Sequence, residues 1–198
     1  MPAILLAAGE SRRLGRPKQL IVLAGETLIA RTVRIVREAE IFPLFVVLGG
    51  NRSLVEPEID LSCALPVVNS KWQEGIATSI CVGVAAVEDR YPESEAVLIL
   101  VCDQPHLTSK HLQALKERYQ RSAEQRIVAS CYRGVAGIPA IFPKAHFPDL
   151  LALQGDSGAK QILRQSDRRI ETVDFPHGEI DIDTPEDLET PMRDGVPD

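Results

Sequence analysis

Short apolar runs take turns with longer segments in which apolar residues recur every three or four positions, the pattern of strands alternating with helices. Pro2–Ala8 reads as a buried strand closed by Gly9. Gly9–Lys18, rich in glycine, serine, proline and charge, reads as a loop. Thr27–Ala39 sets Ile29, Val33 and Val36 on one helical face and leaves Arg34, Arg37 and Glu38 off it. Leu44–Leu48 is a second strand, ended by Gly49 and Gly50, and Leu65–Val68 is a weaker third. Ile76, Ile80, Val84 and Val87 mark a helix over Ile76–Val87. Ala96–Cys102 is an apolar strand that stops at Asp103, and Thr108–Arg121 is a helix with Leu112, Leu115 and Tyr119 on its buried side.

Repeated βα units with right-handed crossovers wind into a parallel sheet covered on both faces. The last third breaks this rhythm. Ile127–Tyr132 and Ile138–Phe142 are β-like runs separated by Arg133–Gly137, which predicts a small antiparallel β insertion; Pro143, Pro148 and Gly155–Gly158 then divide the chain into short pieces. The fold class is α/β with a mostly parallel sheet. Ligands of such sheets bind beyond the carboxyl ends of the strands. That rule selects Gly9–Lys18, Gly49–Arg52, Asn69–Ser79, Asp103–His106 and Asp181–Asp187 as the segments to read for chemistry.

Composition narrows the function. The chain has 198 residues, 44% of them apolar and 25% charged, enough for one sizeable core. No apolar stretch approaches a membrane span, and Met1–Ala8 lacks a basic leader, so a cytoplasmic protein without membrane contact is expected. A net charge of −6 argues against nucleic-acid binding, but local charge governs a small-molecule pocket. Arg12, Arg13, Arg16 and Lys18 crowd one early segment. Cys63, Cys81, Cys102 and Cys131 form no CxxC pair and read as free, buried thiols; the four histidines have no zinc spacing.

The early loop, Leu6-Ala7-Ala8-Gly9-Glu10-Ser11-Arg12-Arg13-Leu14-Gly15-Arg16-Pro17-Lys18, fits neither GxxxxGK[ST] nor GxGxxG. Its small residues still let a ligand approach the backbone, and successive N–H groups can form an anion nest, with Arg13 and Lys18 as cationic donors. A solvated basic loop joining strand to helix accounts for the same residues. Asp103 ends its strand facing the same cleft, where it serves equally as one hard-oxygen ligand for Mg²⁺ or as a turn former before Gln104-Pro105. Asp181 and Asp183, two apart, share a face if extended, and Thr184–Asp187 has the form of a helix start.

These motifs resemble a known family. LAAGxSxRxGxPK after an amino-terminal strand is similar to the signature of nucleotidyltransferases acting on molybdenum cofactor, sugar nucleotides and isoprenoid precursors. The segments Val68–Ile80, Cys102–Pro105, Gly137–Pro143, Gly155–Ala159 and Asp181–Leu188 most resemble the molybdenum cofactor cytidylyltransferase branch, and the likeness runs from residue 3 to about 188. The resemblance implies a Rossmann-like three-layer fold, with residues 1–191 as a single nucleotidyltransferase domain and 192–198 as a polar tail. It implies Mg²⁺-dependent attack by an acceptor's phosphate on the α-phosphorus of CTP, with release of pyrophosphate.

Carried over by position, the resemblance makes Arg13, Lys18 and Asp103 catalytic. Leu6, Ala7, Ala8, Gly9, Ser11, Arg13, Lys18, Gln73, Gly75 and Thr78 would hold the nucleotide, Gly155, Asp156 and Gly158 the acceptor, and Asp103 and Asp183 the metal. Ordinary helix capping accounts for 73–79 as well, and a plain loop for 155–160. Ala8, where a second glycine would give LAGG, leans within the resemblance towards cytosine over guanine. The implied acceptor is the molybdopterin form of molybdenum cofactor, and the implied protein partner is a molybdoenzyme or its chaperone. The alternatives are another nucleoside triphosphate with a sugar- or polyol-phosphate acceptor, and a nucleotide-binding module without catalysis.

Overall fold

A computed structural model describes residues 1–11, 15–122, 126–165 and 170–182. Its strands are β1 (Ala3–Ala7), β2 (Val22–Leu23), β3 (Glu26–Thr27), β4 (Leu44–Leu48), β5 (Ala64–Val68), β6 (Ala96–Val101), β7 (Ile127–Tyr132), β8 (Val135–Pro143) and β9 (Ile170–Asp174). The helices are α1 (Leu28–Glu38), α2 (Arg52–Val55), α3 (Ile76–Arg90), α4 (Ser109–Arg121), α5 (Phe147–Leu151) and α6 (Ala159–Gln165). Arg13, Asp183, the helix start at Thr184–Asp187 and the tail at 192–198 lie outside the described residues.

Seven strands form one sheet in the order β5-β4-β1-β6-β8-β7-β9, and β2 and β3 make a separate hairpin. β5, β4, β1 and β6 run parallel, β8 is antiparallel to both β6 and β7, and β9 returns parallel to β7. The antiparallel hairpin expected in the C-terminal third is therefore continuous with the main sheet, through the β6–β8 ladder.

Period-two alternation sorts the strand side chains onto two faces. Ala3, Leu5, Val46, Leu98 and Leu100 pack with Ile29, Val33 and Val36 of α1 and Leu112 and Leu115 of α4. Ile4, Phe45, Val47, Val97 and Ile99 pack with Ile80, Val84 and Val87 of α3, Leu150 of α5 and Ile162 and Leu163 of α6. The result is a three-layer α/β/α structure. α1 and α4 start at Thr27 and Thr108, whose hydroxyls accept from Ala30 N (3.4 Å) and His111 N (3.2 Å), the usual N-cap device.

Three details depart from the sequence reading. α3 runs on to Arg90. The two-residue strands β2 and β3, the short α2, α5 and α6, and β9 lie outside the elements expected from sequence; β9 is an edge strand with no fully buried side chain, so it carries no strong apolar signal. The four thiols are free as expected, but only Cys102 is buried. Among the described residues no helix is long and apolar enough to cross a membrane.

One polar feature lies inside the α4 layer. His111 is buried and stacks on Phe175 at 4.4 Å between ring centroids. The Ser130 hydroxyl donates to the Pro139 carbonyl (2.7 Å), so its oxygen accepts from His111 Nε2 (2.8 Å), which therefore carries a hydrogen. Burial pushes the imidazole pKa down from 6.5 to about 4. Between those values the unfolded chain binds the extra proton, so stability is complete above pH 6.5 and declines as pH falls towards 4, by roughly 3 kcal/mol. Urea titrations at pH 7, 5.5 and 4.5 should show this decline, and His111→Phe should remove the part due to this ring.

Candidate active site

The chain order reverses between β1 and β6: α1 leads from β1 to β4 on one side, whereas β6 pairs with β1 on the other. The crevice at that switch point, beyond the strand ends, is where α/β sheets bind ligands. The loop after β1 and the turn after β6 form its walls, and Lys18 and Asp103 form an ion pair across it.

Gln19 holds the early loop in place. Its buried side chain donates from Nε2 to Ala7 O (2.8 Å) and Gly9 O (2.9 Å), while Ser11 Oγ accepts from Lys18 N (3.0 Å). Sequence reasoning missed Gln19, although it directly follows Lys18. Replacing Gln19 with Leu should lower stability by about 1–3 kcal/mol and raise the KM for nucleoside triphosphate more than that for the acceptor. Urea unfolding and initial-rate kinetics check both.

Leu6, Ala7, Ala8, Gly9, Ser11, Lys18, Gln73 and Gly75 line one cavity of 490 Å³ together with Asp103. Trp72 is part of its wall and lies over Gly50, where a Cβ would collide with the indole ring. Thr78 is placed as a brace: its hydroxyl accepts from Asn69 Nδ2 (2.8 Å) and reaches the carbonyls of Lys71 (3.0 Å) and Gly75 (2.9 Å). Its neighbour Ser79 faces the cavity.

A second cavity of 770 Å³ holds Asp156 and Gly158, and Asp103 lines it too. Gly155 is not among the residues lining either cavity; its carbonyl accepts from Ala77 N (3.1 Å). The two cavities share Leu6, Ile76, Val101, Asp103 and Asp156, so they are halves of one cleft meeting at Asp103. Tyr132, Gln161 and Arg164 of the larger half were not singled out from sequence.

Asp103 is held from both sides. Its carbonyl accepts from Ile182 N (2.9 Å), and the buried Gln104 side chain donates to Ile138 O (3.1 Å) and Gly178 O (2.8 Å). This strap also brings Asp181 to the larger cavity. Burial, reinforced by Asp181 and Asp103, pushes the Tyr132 phenol up to about 12, so it remains a hydrogen-bond donor at neutral pH.

A divalent cation suits the remaining valence of Asp103. Oδ2 takes Lys18, while Oδ1 is buried with no hydrogen-bond partner among the described residues. Mg²⁺ is characteristically held by one or two carboxylates plus phosphates. No cluster of three or more His, Cys, Asp or Glu forms a closed cage among the described residues.

Comparison with known proteins fits this geometry. Residues 3–170 match the MobA-like NTP transferase domain, so the chain belongs to that family and is a nucleotidyltransferase. It is 28% identical to purine catabolism protein PucB of Bacillus subtilis (96% of this chain, 95% of that protein). It is also 28% identical to nicotine blue oxidoreductase of Paenarthrobacter nicotinovorans (94% and 91%). A stretch of 59 residues is 41% identical to a probable molybdenum cofactor guanylyltransferase of Opitutus terrae, covering 30% of this chain and 29% of that protein. Among solved structures, Rv0371c of Mycobacterium tuberculosis superposes with a TM-score of 0.82 at 26% identity, covering 98% of both chains; that protein has also been solved in complex with manganese.

Proposed function

We propose that this nucleotidyltransferase moves CMP from CTP to a phosphate-bearing acceptor, the molybdopterin form of molybdenum cofactor, and releases pyrophosphate, with Mg²⁺ as its cation. The observation that carries the reading is the bipartite cleft: a small-residue loop and Lys18 line one half, a larger cavity opens beyond it, and the Asp103 carboxylate belongs to both. Two substrates seated in the two halves would meet at Asp103, and positioning with charge neutralisation is most of what transfer at phosphorus needs from a protein.

In this reading the N–H groups of the Ala7–Ser11 loop and the Lys18 ammonium bind the triphosphate, with Arg13 as a further cationic donor. Gln73 and Gly75 face the base end, and Thr78 supports them through the Asn69 network. Asp103, with Asp183 as a second ligand, holds the cation, which when bound neutralises charge on the transferred phosphate. The acceptor, seated by the Gly155–Gly158 loop, attacks through a phosphate oxygen; a new P–O bond forms at the α-phosphorus and the bond to pyrophosphate breaks. The nucleophile is already ionised, so no general base is assigned. A molybdoenzyme or its chaperone would receive the product.

The choice of CTP leans on Ala8 in the LAAG segment and on the overall resemblance. The test is pyrophosphate release with each of the four ribonucleoside triphosphates, with and without molybdopterin. Release that requires the acceptor and is fastest with CTP supports the proposal. A preference for GTP, the donor implied by the name of the Opitutus protein, overturns the base assignment and leaves the reaction class standing.

A further inference from the structure

The larger cavity is electrically divided. Asp103, Asp156 and Asp181 lie on its walls, whereas Lys160 and Arg164, one turn apart on α6, supply positive charge. α6 buries Ala159, Ile162 and Leu163 in the core, which turns its polar face, including Gln161 and Gln165, towards the cavity. Arg34, Arg37, Arg52, Arg118, Arg121 and Arg133 pair with carboxylates. Lys160 and Arg164 have no carboxylate partner among the described residues; Lys160 lies 5.8 Å over the Tyr132 ring.

Neither cation lines the smaller cavity, and neither is among the residues the two halves share. They therefore belong to the larger half alone, outside the set of residues at which an attacking phosphate would meet the α-phosphorus. The larger cavity also has an apolar surface from Ile80 and Ile138, continuous with Leu6 and Val101 at the junction. On this basis we infer that Lys160 and Arg164 are specificity residues for a second anionic group on the acceptor, separate from its nucleophilic phosphate and joined to it by a flat body lying against Tyr132. The inference rests on the two-substrate reading above and narrows its acceptor class. Arginine with a neighbouring lysine suits such a group, since charge-assisted hydrogen bonds in a partly enclosed cavity exceed neutral ones.

Two probes separate charge from shape: pterin-6-carboxylate and 6-methylpterin share one flat ring system, and only the first carries an anion. Fluorescence titration of the full chain should show the carboxylate binding about tenfold more tightly. In the double variant Lys160→Gln/Arg164→Gln the two probes should bind equally, while CTP binding and the urea midpoint stay as in the parent. Lys160→Arg should keep the preference. Equal binding to the unaltered chain, no binding of either probe, or a preference that survives in the double variant would each overturn the inference. The outcome is independent of the triphosphate panel: losing the CTP preference leaves the carboxylate preference in place, and losing the latter leaves nucleotidyl transfer to other acceptors intact.

Discussion

Asp103→Asn is expected to lower kcat by about 10²- to 10³-fold while leaving the fold intact. Asparagine keeps the size of the side chain and an oxygen that can accept from Lys18, and the straps from Ile182 N and Gln104 do not involve the carboxylate. What disappears is the negative charge of a carboxylate that lines both halves of the cleft and whose buried Oδ1 has no hydrogen-bond partner among the described residues. Triphosphate binding without metal should survive, because the Gly9 loop and Lys18 lie on the other wall. Manganese binding in the presence of triphosphate should weaken in parallel with turnover. Single-turnover kinetics and a manganese titration read by electron paramagnetic resonance check the two halves of this result. Near-parental turnover by Asp103→Asn would remove Asp103 from the reaction.

Gly75→Ala should produce the largest loss of stability among single-methyl additions in the cleft. Gly75 has φ +111°, a conformation L side chains rarely adopt, and a Cβ there would collide with the Gly155 carbonyl. The obstacle is backbone, and that same carbonyl accepts from Ala77 N at the start of α3, so neither side can yield without breaking a contact. Strain and overpacking together should cost roughly 3 kcal/mol. The same methyl would push the 73–75 turn away from the 155–156 loop. Both substrates' KM values should therefore rise in Gly75→Ala, whereas a defect in only one pocket would raise one. Urea unfolding and two-substrate kinetics measure these effects; a fully stable variant with unchanged KM values would show that the two loops are not rigidly coupled.

This coupling marks where sequence reasoning stops. β1, β4 and β6 were legible because each is an apolar run closed soon after by glycine or aspartate, at Gly9, Gly49 and Asp103, whereas the parallel edge strand β9 has no such run. The candidate residues of the cleft were legible for a related reason, since strand ends in such a sheet point to one place. The contact of Gly75 with Gly155 was not legible, because it joins two loops eighty residues apart through backbone atoms and leaves no side-chain signal. Gln19 was hidden for the opposite reason: a lone amide in a polar loop looks like solvent-facing polarity until the loop folds back over Ala7 and Gly9. Arg164 belonged to a stretch read as short pieces, and only α6, formed by packing Ile162 and Leu163, sets it one turn from Lys160.

The central claim is that the nucleotide fills the smaller cavity and presents its α-phosphorus at Asp103, where the larger cavity begins. The most direct measurement is a crystal structure of this chain with Mn²⁺ and a non-hydrolysable CTP analogue, the metal located by its anomalous scattering. The predicted result is phosphates along Ala7–Ser11 and Lys18, with manganese against the Asp103 carboxylate. Phosphates seated instead on Lys160 and Arg164, or a metal bound away from Asp103, would contradict it.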